Sequence, residues 1–161
     1  MHDIIRRPEE ILAYRPLRQI LGAKPNALWT VGPADSALVA MQTMADKHIG
    51  FLVVQDRGLM VGVLSERDCV RHIARNKTPL EATPVGELMT RGVIAVDLSQ
   101  TFADCLRLMH QNRIRHLPVV EDGKPVAVVS IRDLLGEAVA HHAKIINQLE
   151  LERLTFFTSA V

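Results

Sequence analysis

The sequence predicts an α+β fold: two pseudo-symmetric β-α-β-β-α repeats, packed through their sheets into one module, with a C-terminal helical extension. Three observations carry this reading. The chain repeats itself at a fixed offset, paired apolar runs meet at glycine turns, and two of those runs end in the same Ser-x-Arg-Asp. A length of 161 residues suits one compact domain or two halves sharing a core. Hydrophobic residues at 48% and charged residues at 23% are a globular balance. A net charge of +1 gives no electrostatic footprint for nucleic acid or an anionic membrane. No window resembles a membrane span, and the first sixteen residues hold no signal-peptide core. The two cysteines, Cys69 and Cys105, lie in no metal-ligand spacing and read as buried thiols in a reducing cytoplasm.

The repeat is gapless over about forty residues. "WTVGPADSALVAMQTMADKHIGFLVVQDRGLMVGVLSERD" lies over "IAVDLSQTFADCLRLMHQNRIRHLPVVEDGKPVAVVSIRD". Val31 matches Val96, Met44 matches Met109, Ile49 matches Ile114, Leu52 matches Leu117 and Val54 matches Val119. A repeat of this length is a duplicated supersecondary unit. Within each copy, "LWTV" and "VIAV" read as short first strands. Asp35 or Ser36 in the first copy, and Ser99 in the second, stand where a helix cap is needed. The helices that follow keep a 3.6 period through Met44 to His48 and through Met109 to Arg113. "FLVVQDRGLMVGVL" and "HLPVVEDGKPVAVV" are strand pairs turning at Gly58 and Gly123. "PLRQILG" and "PVGELMT" look like short helical lead-ins. The expected boundaries are an N-terminal extension at 1–15, repeats at 16–75 and 85–140, a polar linker at 76–84, and a helical tail at 141–161.

Ser65-Glu66-Arg67-Asp68 and Ser130-Ile131-Arg132-Asp133 admit two readings. Ser-x-x-Asp at a helix start is a variant capping box that contributes about 1 kcal/mol and needs no ligand. Yet a helix N-terminus directly after a strand is also a ready phosphate site, and an Asp one turn in can hold a ribose diol. Capping gives no reason for an arginine at the third position of both motifs, where the helix dipole disfavours a cation.

The tandem copies, "HIGFLVV" and "RIRHLPVV" on the second strands, the glycine turns and both Ser-x-x-Asp motifs together resemble a pair of CBS domains, or Bateman module, of the small stand-alone bacterial type. The resemblance covers about residues 16 to 140. It implies a sensor without catalytic activity that binds AMP, ADP, ATP, NAD or S-adenosylmethionine in the cleft between the repeats. By motif, Asp68 and Asp133 would hold ribose hydroxyls, with Ser65 and Ser130 near ribose or phosphate. Thr30–Val31 and Ala95–Val96 would lie against the adenine edge. Ile49, Gly50 and Phe51, and Arg115, His116, Leu117 and Pro118, would flank base and phosphate. The second copy offers Arg113, Arg115 and His116 where the first has His48, Gly50 and Phe51, so phosphate contacts are expected from the second copy. Arg67 and Arg132 complete the candidate ligand-binding set.

No metal site or catalytic triad is expected. His141 and His142 are adjacent and diverge by about 100° on a helix. From Leu134 to Phe157 the chain could form one helix, with Leu135, Ala138, His142, Ile145, Leu149 and Phe156 on a heptad-like stripe and Val139 and Ile146 beside it. A homodimer is expected on that ground, the regulated protein being unknown. Two other readings stay open: a constitutive interaction module whose motifs are only caps, and an enzyme turning over nucleotide.

Overall fold

A computed structural model of the chain describes residues 14–22, 28–75 and 78–158. Most of the expected N-terminal extension, linker positions 76–77 and the last three residues lie outside these. The described elements are α1 (Leu17–Gly22), β1 (Thr30–Val31), α2 (Ala37–Lys47), β2 (Phe51–Asp56), β3 (Leu59–Ser65) and α3 (Glu66–Arg75). After a 3-10 turn at Leu80–Ala82 come α4 (Val85–Leu88), α5 (Phe102–Asn112), β4 (His116–Glu121), β5 (Lys124–Ser130) and α6 (Ile131–Thr158). Helix, hairpin and helix therefore occur in both copies, preceded in the first by the short strand β1, and α6 supplies the C-terminal extension. Two compact units divide the chain: one holds the described parts of 25–98 and 116–129, the other those of 1–24, 99–115 and 130–161.

In the first unit β2 lies between β1, parallel to it, and β3, antiparallel to it. The β2–β3 and β4–β5 hairpins turn identically. Arg57 and Gly58 have φ of 48° and 84°, and Asp122 and Gly123 have φ of 50° and 75°. Two consecutive positive φ values match the right-handed twist of the strands they join. The hairpins bury Leu52, Val53, Val54 and Leu64 in the first copy and the offset partners Leu117, Pro118, Val119 and Val129 in the second. The hairpins meet within this unit, where Met60 N–H donates to the Gly123 carbonyl at 3.1 Å. Phe51 and His116, which occupy the same place in their copies, stack at 4.8 Å and 12°. Equivalent positions can face each other only where a local pseudo-twofold axis passes between them.

The core of this unit joins Val31, Ala40, Met44, Leu52, Val54, Leu64 and Cys69 to Val85 and Met89. The last two belong to the lead-in of the second copy. Val85 N–H donates to the Asp35 carbonyl and Gly86 N–H to the Pro33 carbonyl, both at 2.8 Å, while Ala37 N–H donates to the Thr83 carbonyl at 2.8 Å. The second lead-in is thus fastened to the start of the first copy's helix. Its fit is close: a Cβ on Gly62 would stand 2.9 Å from the Thr90 carbonyl oxygen, so glycine is required there.

The second unit carries the counterpart. Leu17 N–H donates to the Gln100 carbonyl at 3.3 Å, which fastens the first lead-in, α1, at the start of the second copy's helix α5. Leu17, Ile20 and Leu21 are buried here, as are Phe102, Cys105, Met109 and Leu134. Tyr14 stacks on Phe102 at 4.0 Å and tilts against His141 at 4.5 Å. Beside it, Arg15 Nε donates to both oxygens of Glu137 at 2.9 and 3.1 Å. The Glu137 side chain is only 3% exposed, while Arg15 remains 47% exposed.

Three local expectations need correction. "VIAV" does not form a paired strand; only Val96 bridges Val119. In the first copy Val53 N–H donates to the Trp29 carbonyl, but the equivalent of Val53 is Pro118, which has no N–H to extend the ladder. The cap of α5 is Thr101, not Ser99. Thr101 and Asp104 satisfy each other's backbone N–H in a reciprocal capping box, and Thr101 also holds the Asp104 carboxyl below the usual carboxylate range. His48 and Arg113 end their helices rather than continue the stripe, in left-handed conformations with φ of 53° and 54°. The first-copy cap is Ser36, whose hydroxyl accepts from Leu38 N–H at 3.1 Å.

The Arg15 side-chain hydrogen bond is the main cause that lowers the Glu137 pKa, against the opposing effect of burial. A depressed carboxylate contributes stability that is full above the unfolded-state pKa and lost as pH falls through the folded one. Arg15→Ala should therefore cost about 2 kcal/mol at pH 7, between the values for exposed and buried pairs. The penalty should shrink as pH falls out of the ordinary glutamate range and through the depressed pKa of Glu137. Urea denaturation of both proteins across that range measures it.

Candidate functional site

The two Ser-x-Arg-Asp stretches are the strand-to-helix junctions β3–α3 and β5–α6. In each, the serine ends the strand and the aspartate sits in the first helical turn. The first N–H of each helix is anchored alike. Glu66 N–H donates to the Gly50 carbonyl at 3.2 Å, and Ile131 N–H to the Arg115 carbonyl at 2.8 Å. Each junction is thereby tied to the residue preceding its copy's second strand.

The carboxylates are held by the same backbone bond. Ser65 N–H donates to Asp68 Oδ2 at 3.0 Å, and Ser130 N–H to Asp133 Oδ2 at 2.8 Å. The hydroxyls differ. Ser65 Oγ donates to Asp68 Oδ2 at 2.6 Å, a charge-assisted bond. Ser130 Oγ instead accepts from Asp133 N–H at 3.3 Å, which completes a reciprocal capping box. At the first junction both described bonds converge on Oδ2, and Oδ1 faces the Arg71 guanidinium at 3.9 Å.

Around the first junction the structure gathers Gly50, Phe51, Ser65 and Asp68, since Phe51 lies opposite Ser65 in the β2–β3 ladder. His116 joins them by stacking on Phe51. Ile49 is held at the end of α2 through its N–H to the Met44 carbonyl at 2.9 Å. Thr30 and Val31 pair with Val53 and Val54 two strand positions further along β2, Thr30 exposed and Val31 buried. Val96 and Pro118 are buried too, joined by Val96 N–H to the Pro118 carbonyl at 3.0 Å; Ala95 is half-buried beside them. Around the second junction stand Arg115, Ser130, Arg132 and Asp133, with both arginines exposed. Arg67 is exposed at the first.

Sequence reasoning passed over Glu66. Its Oε2 lies 3.0 Å from where a Cβ on Gly50 would stand, so its carboxylate covers the start of β2. The second copy has Ile131 and Arg115 at these two places. The junctions thus differ in charge: both carry an arginine, Arg67 or Arg132, but Glu66 adds a negative charge at the first where Arg115 adds a positive one at the second. The signal was the variable x of Ser-x-Arg-Asp.

Cys69 follows Asp68 directly and is fully buried. Burial, then the Asp68 charge, push its thiol pKa up. Cys105 is raised to about 11, mainly by burial. Neither thiol is activated. Among the described residues no group of three or more His, Cys, Asp and Glu side chains could hold a metal ion, and no helix is long and apolar enough to cross a membrane.

A family model described as CBS domain matches residues 23–75 and 85–140. The Arabidopsis thaliana CBS domain-containing protein CBSCBSPB5 is 35% identical over 113 residues, 69% of this chain but 20% of that protein. The chain thus spans about a fifth of that relative's length. A solved structure from Burkholderia ambifaria MC40-6, described as a signal-transduction protein with CBS domains, is 38% identical with a TM-score of 0.74. That alignment covers 78% of this chain and 95% of the other. The CBS domain pair of protein MJ0100, solved with 5-methylthioadenosine and S-adenosyl-L-methionine, is 26% identical with a TM-score of 0.66. It covers 75% of this chain and 93% of that one.

As helix caps, the aspartates set a ligand-free baseline. Asp68→Ala and Asp133→Ala should each lower unfolding free energy by about 1 kcal/mol in urea denaturation without nucleotide. Iodoacetamide at neutral pH should leave both thiols unmodified in the folded protein and label both after unfolding, read by mass spectrometry.

Proposed function

Because the chain belongs to the CBS-domain family, which it carries as two copies in tandem, we propose that it is a non-catalytic regulatory module binding an adenosine-containing ligand at its Ser-x-Arg-Asp junctions. The duplicated junction carries this reading: an aspartate whose Oδ2 accepts a backbone N–H at a helix start, beside exposed arginine, directly after a strand. At the first junction Asp68 Oδ1 is positioned to accept a ribose hydroxyl while Oδ2 keeps its cap bonds. Asp133 takes the same role at the second. Phe51 and His116 offer ring faces to a base, Ser65 and Ser130 lie within reach of ribose or phosphate, and Thr30 and Ala95 flank the base edge.

Charge argues for the class of ligand. Arg113, Arg115 and Arg132 favour an anionic phosphate at the second junction, which suits AMP, ADP, ATP or NAD better than a cationic sulfonium. Glu66 disfavours phosphate at the first junction, so that site takes a nucleoside part or stays empty. The adenosine-type ligands bound by the MJ0100 domain pair support the class without naming the nucleotide. Signalling follows if the ligand binds one arrangement of the module or of a homodimer more tightly than another. We assign the repeats to 16–75 and 85–140, joined by the 76–84 linker, and place the protein in the cytoplasm.

One observation favours a second reading. Both aspartates are already engaged as caps, as a constitutive interaction module with no nucleotide would have them. Calorimetric titration with AMP, ADP, ATP, NAD and S-adenosylmethionine separates the two. The sensor reading expects micromolar binding of a phosphate-bearing ligand, abolished by Asp133→Ala and by Arg115→Ala. It also expects stabilisation by about 2.7 kcal/mol at a hundredfold excess over Kd. Silence in both heat and melting for every ligand sinks it.

A further inference from the structure

The helix α6 presents two faces. Leu134, Glu137, Ala138, His141, Ile145 and Gln148 are buried or half-buried and form the inner one. The heptad-like stripe expected from sequence is therefore split, since Ala138 and Ile145 face inward. The outward face is a different, strict alternation of four and three residues: Leu135, Val139, His142, Ile146, Leu149 and Arg153. Its apolar members are Leu135 at 59% exposure, Val139 at 70%, Ile146 at 55% and Leu149 at 59%. This seam runs about 27 Å along the helix at 1.5 Å per residue, a long apolar surface for a lone chain to leave wet.

We propose that this outer face of α6 is a parallel, in-register two-stranded seam with a second copy of the chain. The proposal rests on the homodimer reading and gives it a surface and a register. The pattern itself selects the occupant. β-Branched Val139 and Ile146 alternate with Leu135, His142 and Leu149, an arrangement that favours two parallel strands with one polar layer at His142. In such a seam each layer packs a residue against its own copy, so no foreign sequence is required. Gly136 and Ala143 sit beside it, and a Cβ on Gly136 would meet nothing within 4 Å, which leaves room for close approach. Arg153 ends the seam as a like-charge layer, and Glu152 immediately before it is placed to offset that charge from the flank.

Sedimentation of the full chain at tens of micromolar, with three variants, tests this. Wild type sediments as a dimer. Ile146→Asp, at an exposed position, keeps its circular dichroism at 25 °C but raises the dimer dissociation constant roughly 100-fold or more, because it buries two unpaired charges. Leu154→Asp, exposed but about 100° off the seam, leaves the dimer intact. Leu149→Cys forms an intersubunit disulfide with diamide, Cys69 and Cys105 being buried. A monomeric wild type overturns both this seam and the homodimer reading. A dimer that survives Ile146→Asp, or that gives no Leu149→Cys cross-link, overturns the seam alone and leaves the homodimer on another surface.

Discussion

The fold turns on an exchange of short segments between the two copies. Val85 N–H bonded to the Asp35 carbonyl seats the second copy's lead-in at the first copy's helix, and Leu17 N–H bonded to the Gln100 carbonyl does the reverse. Neither copy completes its own interior. Met44, Leu52 and Leu64 reach full burial because Val85 and Met89 close over them. Four or six helical residues would not hold a helix by themselves; they do so here because their buried faces and terminal N–H groups both find partners. The linker is bound by the same constraint. Thr83 is buried, its hydroxyl donating to the Pro79 carbonyl at 2.9 Å, in a stretch whose composition reads as exposed loop.

Duplication then places two chemically similar junctions in unlike surroundings. Backbone geometry is preserved to the level of single hydrogen bonds: Glu66 to Gly50 repeats as Ile131 to Arg115, and Ser65 to Asp68 repeats as Ser130 to Asp133. Side chains at the variable positions have diverged. A carboxylate over glycine in one copy stands against an arginine beside isoleucine in the other. The Phe51–His116 stack lies where the copies' equivalent strands meet.

Much of this was legible in the chain because it depends on local rules. The internal repeat picked out Leu52, Val54, Leu117 and Val119. Gly58 and Gly123 marked turns that need positive φ, and the Ser-x-x-Asp spacing marked the junctions. Some misreadings lay within reach of the same rules. Thr101-x-x-Asp104 is a better capping box than Ser99 could offer, and Pro118 announces that the neighbouring "VIAV" segment loses a ladder bond. Glu66 was equally visible as the residue that breaks the identity of the two motifs.

By itself the sequence determined the duplicated α+β architecture, the hairpin turns and the two capped junctions, since each follows from periodicity or from residues within four positions of one another. Tertiary structure decided which copy each lead-in serves, which face of α6 stays outside, and that Glu137 is buried against Arg15. Those outcomes join residues up to 122 positions apart. No local pattern specifies such a pairing, because it depends on which apolar faces and unsatisfied backbone groups meet once both copies have formed.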